Sequence, residues 1–308
     1  MSDPRPDRPP AAPAAGGSDE VSPEPVGKPA SLWSDAWHEL RRSPIFVVSA
    51  LLILVFVVMA IAPGLFTSAD PRECSLSNSL VRPSAEHWFG FDLQGCDYYS
   101  RTIYGARPSI AIGIVVTIFT VIVAVVLGSI AGYYGGMLDT IIARVTDIWF
   151  AIPTILGGIV ILSLLPSRGI LQVSLVLVVL GWPTMLRLLR SSVLSAKEQD
   201  YVDAARALGA SDYRIITRHI LPNAIAPVII YATITVGVII SAEAALSFLG
   251  VGLQLPAISW GLMISTAQTR ILEHPHLLFF PAGFLSLTVY SFILMGDALR
   301  DALDPKLR

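Results

Sequence analysis

Long uncharged apolar blocks, separated by short polar stretches, dominate the pattern along this chain. Six stretches qualify as spanning helices: Ile45–Ala62, Ser109–Gly132, Ile148–Leu165, Gly169–Leu186, Ala224–Ala242 and Leu277–Gly296. None holds a Lys, Arg, Asp or Glu. About 20 apolar residues cross a hydrocarbon core of roughly 30 Å. Backbone groups in lipid must find partners within their own segment, so runs this long are helices. They lack the period-two alternation of barrel strands. The pattern predicts an all-α integral membrane protein with six transmembrane helices and an ordered outside loop after the first.

Other signals punctuate the rest. Residues 1–30 hold eight of the 22 prolines, spaced by Ala, Gly and Ser. Such a segment cannot bury enough surface to fold and reads as a disordered cytoplasmic tail. Trp33, Ala36, Trp37 and Leu40 then recur at helical spacing ahead of Arg41 and Arg42. That suits an interfacial amphipathic helix over 31–43, with Ser43-Pro44 turning the chain into the first span, 44–62. An extracytoplasmic loop follows over 63–108. The core transmembrane domain is expected over 109–300, with Tyr133–Ile148 as a short loop, a longer cytoplasmic loop at 191–223 and a C-tail at 301–308. The first apolar block lies too deep in the chain to be a secretory signal peptide.

Composition agrees: of 308 residues, 54% are hydrophobic and 14% charged, against about 25% charged in soluble domains. With a cytoplasmic N-terminus, 15 of the 21 Lys and Arg fall on the inside, as the positive-inside rule requires. Six spans put both termini in the cytoplasm. The two cysteines, Cys74 and Cys96, both fall in the first outside loop. They could close a ring of about 20 residues worth roughly 3 kcal/mol in an oxidising compartment, or remain two free thiols.

No glycine-rich turn precedes any of the three lysines, Lys28, Lys197 and Lys306, so no phosphate-cradling loop is recognisable. No H-E-x-x-H or G-x-S-x-G arrangement occurs, and His274-Pro275-His276 reads as polar surface rather than as metal ligands. Intrinsic catalysis and metal binding are not expected, nor is any nucleic-acid partner. Glu243 follows the fifth span, about 19 residues from its start. At 1.5 Å per residue this places it near the outer face. A helix-end carboxylate in watery surroundings is the plain expectation; pairing with an outside-loop Arg, or a pathway or gate role, is the functional one.

The loop Asp200–Asn223 carries the most specific signal. Val202 to Leu208 are good helix formers, and Gly209 can take the left-handed conformation that ends a helix. Ser211 can cap a second helix with Asp212 in its first turn, and Pro222 should stop it. Tyr213, Ile216 and Ile220 would form its apolar stripe, while Ala204, Ala205, Ala207 and Gly209 would let another surface approach. An amphipathic pair resting on the membrane and a docking knob for a soluble partner both fit this pattern.

The segment resembles the EAA loop of ABC importer permeases. Asp203-Ala204-Ala205 occupies the E-A-A triplet, Gly209 follows at the right distance, and Leu221-Pro222 closes the pattern. Asp203 replaces the leading Glu and His219 the usual Ile. The flanking text, Ala210 included, resembles the dipeptide/oligopeptide (and nickel) branch, C-type. His87-Trp88-Phe89-Gly90-Phe91-Asp92 with Gly95-Cys96-Asp97 and Ser100-Arg101 resembles that branch too, as do Gly132-Tyr133-Tyr134-Gly135-Gly136 with Asp139 and Arg144, Ala245-Leu246-Ser247-Phe248-Leu249-Gly250 with Ser259-Trp260-Gly261, and Asp304-Pro305. The resemblance implies a type I-like permease subunit of a bacterial inner-membrane peptide importer, non-catalytic itself. Its partners would be a second homologous permease, two ATPase subunits (or a fused ATPase) and an extracytoplasmic solute-binding protein. ATP and Mg would be bound on the ATPase subunits, and Asp203, Ala204, Ala205, Gly209, Ala210, Ser211, Asp212, His219, Leu221 and Pro222 would couple to them. A nickel or other small-solute importer of the same branch shares these motifs. A secondary transporter would need ionisable residues at mid-membrane and would leave the loop unexplained.

Overall fold

The computed structural model describes residues 37–303. The tail expected over 1–30, the start of the interfacial helix (31–36), and residues 304–308 with Lys306 and Asp304-Pro305 lie outside the described residues. The all-α architecture is the one observed: among the described residues only two isolated β bridges accompany the helices.

Ser43 caps α1 (Pro44–Ile61), its hydroxyl accepting the Phe46 N–H, with Pro44 in the first turn. Helix α2 runs from Tyr98 to Tyr134, through a π turn at Ala124–Gly128. A tight Gly135-Gly136 turn leads to α3 (Gly136–Phe150), then α4 (Thr154–Ser163) and α5 (Ile170–Lys197). The loop region holds α6 (Asp200–Ala207) and α7, which starts at Asp212–Ile215, widens into a π turn at Ile216–Ile220 and continues as Leu221–Ala224. The chain ends with α8 (Ala226–Phe248), the short α9 (Trp260–Ala267) and α10 (His276–Leu303). Helices α2, α5 and α8 form the centre, with α8 packed on α10 and α2, and α2 on α5. Helix α1 lies outside them: Leu51 and Leu54 are exposed, while Phe56 and Met59 pack on Trp260 and Phe292.

Among the described residues five helices are long and apolar enough to span, or six if a bent pair is counted as one span. That pair corrects the expected third span. Residues Ile148–Leu165 are not one helix, because α3 and α4 meet at 79°. Pro153 has no N–H to donate and pushes Ile152 out of helical geometry. The expected loop Tyr133–Ile148 is accordingly mostly α3. Its polar face is held to α5 by ion pairs of Asp139 with Arg190 and Asp147 with Arg187, and by the Trp149 indole N–H donating to the Val179 carbonyl at 2.5 Å.

Other boundaries move outward. Helix α2 begins at Tyr98 rather than Ser109, because Asp97 caps it and Tyr98, Ile103 and Ala106 are buried against neighbours. Hydropathy registers only the lipid-facing part of such a helix. Helix α8 continues through Phe248 and so contains Glu243. Helix α9 occupies a segment expected to be loop, and α10 runs through Leu303, past the expected start of the C-tail. Leu40 packs on Ala298 and Ala302 of α10, which ties the chain ahead of α1 to that helix.

Candidate functional site: the helix–glycine–helix loop

Helix α6 ends in a complete glycine cap. Gly209 takes φ +77°, its N–H donates to the Arg206 carbonyl at 3.0 Å, and Ala210 N–H donates to the Ala205 carbonyl at 3.1 Å. This pairing satisfies the last carbonyls of α6 and turns the chain sharply. A Cβ at Gly209 would meet nothing within 4 Å, so glycine is required there by backbone conformation and not by space.

Three local expectations are corrected. Ser211 occupies the cap position, but its exposed side chain makes no cap hydrogen bond. Asp212 supplies the favourable negative charge at that helix start, and its carboxylate accepts a hydrogen bond from the Tyr133 hydroxyl at 2.7 Å. Pro222 does not stop the helix. The π turn ahead of it widens the backbone where the ring would clash, and the chain bends only at Ile225. The π turn also shifts the register, so Ile215 and Ile220, rather than Tyr213 and Ile216, are the fully buried pair.

Those isoleucines, with Val202 and Ala205, join a cluster with Leu186, Leu189 and Val193 of α5 and with Tyr133 of α2. Fully burying an aliphatic side chain contributes about 1.5–3 kcal/mol, so the loop is bound firmly to both long helices. Lys197 adds a bond from its ammonium to the Tyr133 carbonyl at 2.6 Å, at the end of α2. The opposite surface is open. Leu208 is 88% exposed and Tyr213 78% exposed, beside a depression of about 630 Å³ lined in part by Gly209, Arg214 and His219. Of the residues singled out from sequence, Asp203, Ala204, Gly209, Ser211 and Asp212 face solvent, Ala205 is buried, and Ala210, His219 and Leu221 are half-buried. Asp203 pairs with Arg206 at 2.7 Å, and the His219 carbonyl accepts from the Asn223 amide. Sequence reasoning missed Leu208 and Tyr133. An apolar residue directly before a capping glycine was the available signal for Leu208.

Cys74, Cys96 and Glu243 lie at the far end of the bundle. Cys74 and Cys96 are joined by a disulfide, and Arg101 beside them pairs with Asp92 at 2.7 Å. At the loop end, Asp139 of α3 pairs with Arg190 of α5, and Arg144 approaches Asp147 at 3.6 Å. Glu243 is not a helix-end carboxylate in water, nor does it meet an outside-loop Arg. It is 0% exposed, because α8 continues past it and α9 packs over it. Its partners are the hydroxyls of Ser109, Ser247 and Ser259.

Residues 124–308 match the family described as binding-protein-dependent transport system inner membrane component. Residues 31–83 match the N-terminal TM domain of oligopeptide transport permease C. The oligopeptide transport system permease protein OppC of Bacillus subtilis is 40% identical over 97% of this chain and 96% of its own length. The dipeptide transport system permease protein DppC of the same organism is 39% identical over 90% of this chain and 87% of its own length. The glutathione transport system permease protein GsiD of Escherichia coli O157:H7 is 37% identical, covering 94% of each chain. A solved structure of the MetNI methionine ABC transporter in inward-facing conformations shares the fold, with a TM-score of 0.54 and 20% identity over 66% of this chain and 96% of that one. A glycine-bent helix pair seated on a bundle of long apolar helices, and relatives matching along most of the chain, lead to one assignment: the chain belongs to the family of binding-protein-dependent transport system inner membrane components.

Proposed function

We propose that this chain is the permease subunit of an ATP-driven peptide importer in a bacterial inner membrane, with both termini in the cytoplasm. It forms the pathway with a second, homologous permease. An extracytoplasmic solute-binding protein delivers substrate to the disulfide-bearing end, and two ATPase subunits, carrying ATP and Mg, dock on the α6–α7 loop. The observation that carries this reading is the two-sidedness of that loop. Val202, Ala205, Ile215 and Ile220 are locked into the bundle, while Leu208 and Tyr213 project outward without cover. An element fixed on one face and open on the other transmits a push from a docked partner as a rigid body. Such a push changes the bundle's preferred arrangement only if ATP binding favours one arrangement over the other. The oligopeptide, dipeptide and glutathione systems of the relatives support a peptide as the solute.

Two measurements test this. Affinity purification of the chain from its native membrane should bring down an ATPase subunit, and Tyr213→Asp should reduce that recovery at least tenfold without removing the chain from the membrane. Uptake of labelled di- and oligopeptides by the reconstituted complex should exceed uptake of nickel. Recovery of no ATPase would defeat the docking role, and nickel uptake without peptide uptake would replace the substrate.

A further inference from the structure

Glu243 ties together three elements remote from the α6–α7 loop. Ser109 of α2 donates to its Oε2 at 3.3 Å, and Ser247 of α8 donates to its Oε1 at 2.7 Å. Ser259, at the cap of α9, donates to the same Oε1 at 3.3 Å. Two of these serines are spoken for on their other side. Ser247 Oγ accepts the Leu253 N–H at 3.1 Å, and Ser259 Oγ accepts the Leu262 N–H at 3.2 Å. Each hydroxyl therefore relays a backbone group to the carboxylate, which must act as their common acceptor. All four side chains are buried, and a buried hydroxyl left without an acceptor is costly.

The surrounding contacts allow little play. A Cβ at Gly261 would lie 2.7 Å from the Ala244 Cα, so α9 rests on the backbone of α8. Trp260 is 0% exposed and donates its indole N–H to the Thr102 carbonyl of α2 at 2.9 Å. The segment pinned in this way forms a shared wall. Leu255, Ile258, Leu262 and Met263 line a cavity of about 210 Å³ with Asp92 and Arg101. Ala257 and Ile258 also line a neighbouring cavity of about 540 Å³ with Tyr104 and Arg107.

We infer that Glu243 is a positioning residue. Its carboxylate, through three serine hydroxyls, holds segment 253–267 against α2 and α8 and so fixes the wall common to both cavities at the disulfide-bearing end. Rearrangement at that end during transport must then either carry α2, α8 and α9 together or break these bonds in a defined step. Glutamate suits the position because one side chain offers acceptors to three helices in a space with no room for water-exposed ends.

The test uses the full transporter complex with its binding protein in lipid nanodiscs, with Ile258→Cys as a reporter for a membrane-impermeant maleimide. Removing a shared acceptor should raise the labelling rate about tenfold in Glu243→Ala, a factor worth 1.4 kcal/mol. Glu243→Gln should stay within about twofold, since its amide oxygen still accepts from Ser247 and Ser259 while its amide N–H can donate to Ser109. Binding-protein stimulation of ATP hydrolysis should fall in the Ala variant and persist in the Gln variant. If Glu243→Ala fails to assemble, Ser259→Ala, which keeps the carboxylate but releases α9, should raise labelling about threefold. Wild-type labelling in the assembled Ala variant, or in Ser259→Ala, overturns the proposal. So does a Gln variant as impaired as Ala, which would assign the role to negative charge instead of acceptor geometry. The labelling readout is independent of which solute is carried.

Discussion

At the scale of single residues, the decisive positions differ in how far their environment extends. Gly209 depends on three neighbours along the chain, and its left-handed backbone is specified by local rules alone. Replacing it with Ala meets no steric obstacle, but forces an L side chain into a conformation that costs roughly 1–2 kcal/mol. Gly209→Ala should therefore lower the melting temperature of the purified chain by about 2–8 °C. Gly209→Asn should lower it less, because Asn tolerates that conformation. Equal melting temperatures for all three proteins would show that the bend is not left-handed in solution. Glu243 is the opposite case. Ser247, four residues on, is its one local partner; the rest of its cover comes from Ser109, 134 positions earlier, and from Ser259, 16 later. A carboxylate beside an apolar run reads as a helix end unless the packing of α9 is known.

At the scale of elements, apolar runs reveal helices where they face lipid and lose them where they face protein. The first turns of α2, with Arg101 and Arg107, look like loop, yet Tyr98 and Ile103 make them part of the core. Helix α9 is only eight residues long and carries no length signal. The α3–α4 break was present in the sequence as Pro153, but an uninterrupted apolar run concealed it. The π turn in α7 was not legible at all, because it responds to Pro222 and to the demands of packing together. Its effect on register is what exposes Tyr213. The junction between α2 and α7 then becomes testable. Tyr133→Phe keeps the ring in its cluster but deletes the bond to Asp212, a loss of about 1 kcal/mol. If the loop and α2 move as one body, ATP hydrolysed per solute imported should rise about threefold in this variant, with unchanged ATPase recovery. A wild-type ratio would mean that apolar packing alone carries the connection.

At the scale of the whole molecule, the helical class was readable because lipid imposes the same requirement on every segment. The two ends of the bundle are built differently. One presents short helices tied by aliphatic packing and open on the far side. The other is a folded cap in which the disulfide, the Asp92–Arg101 pair and the Glu243 cluster hold the chain closed. Only the first had local rules that specified its geometry; the motifs at the second marked a resemblance without showing how its parts meet. The second depends on contacts between the cap and helices far apart in sequence, and emerges only when they are assembled.

The Cys74–Cys96 link has a consequence for how the protein comes to be made. Thiols oxidise to stable links in the periplasm and stay reduced in the cytosol, so this pair records which compartment that end of the chain entered. Cys96 is 0% exposed while Cys74 is exposed, so later exchange can reach the link only from the Cys74 side. Alkylation of acid-quenched, denatured cells with a mass-tagged maleimide, followed by a non-reducing gel, should show neither thiol available; two added tags would place both thiols in a reducing compartment and invert the proposed topology. Growth under reducing conditions should instead deliver a chain whose cap lacks a cross-link worth about 2–4 kcal/mol. Such a chain would be more readily cleaved by proteases in that segment, while its apolar helices still insert. Membrane insertion and maturation of the disulfide-bearing cap are thus separable events, and the second waits on an oxidant that the chain itself does not supply.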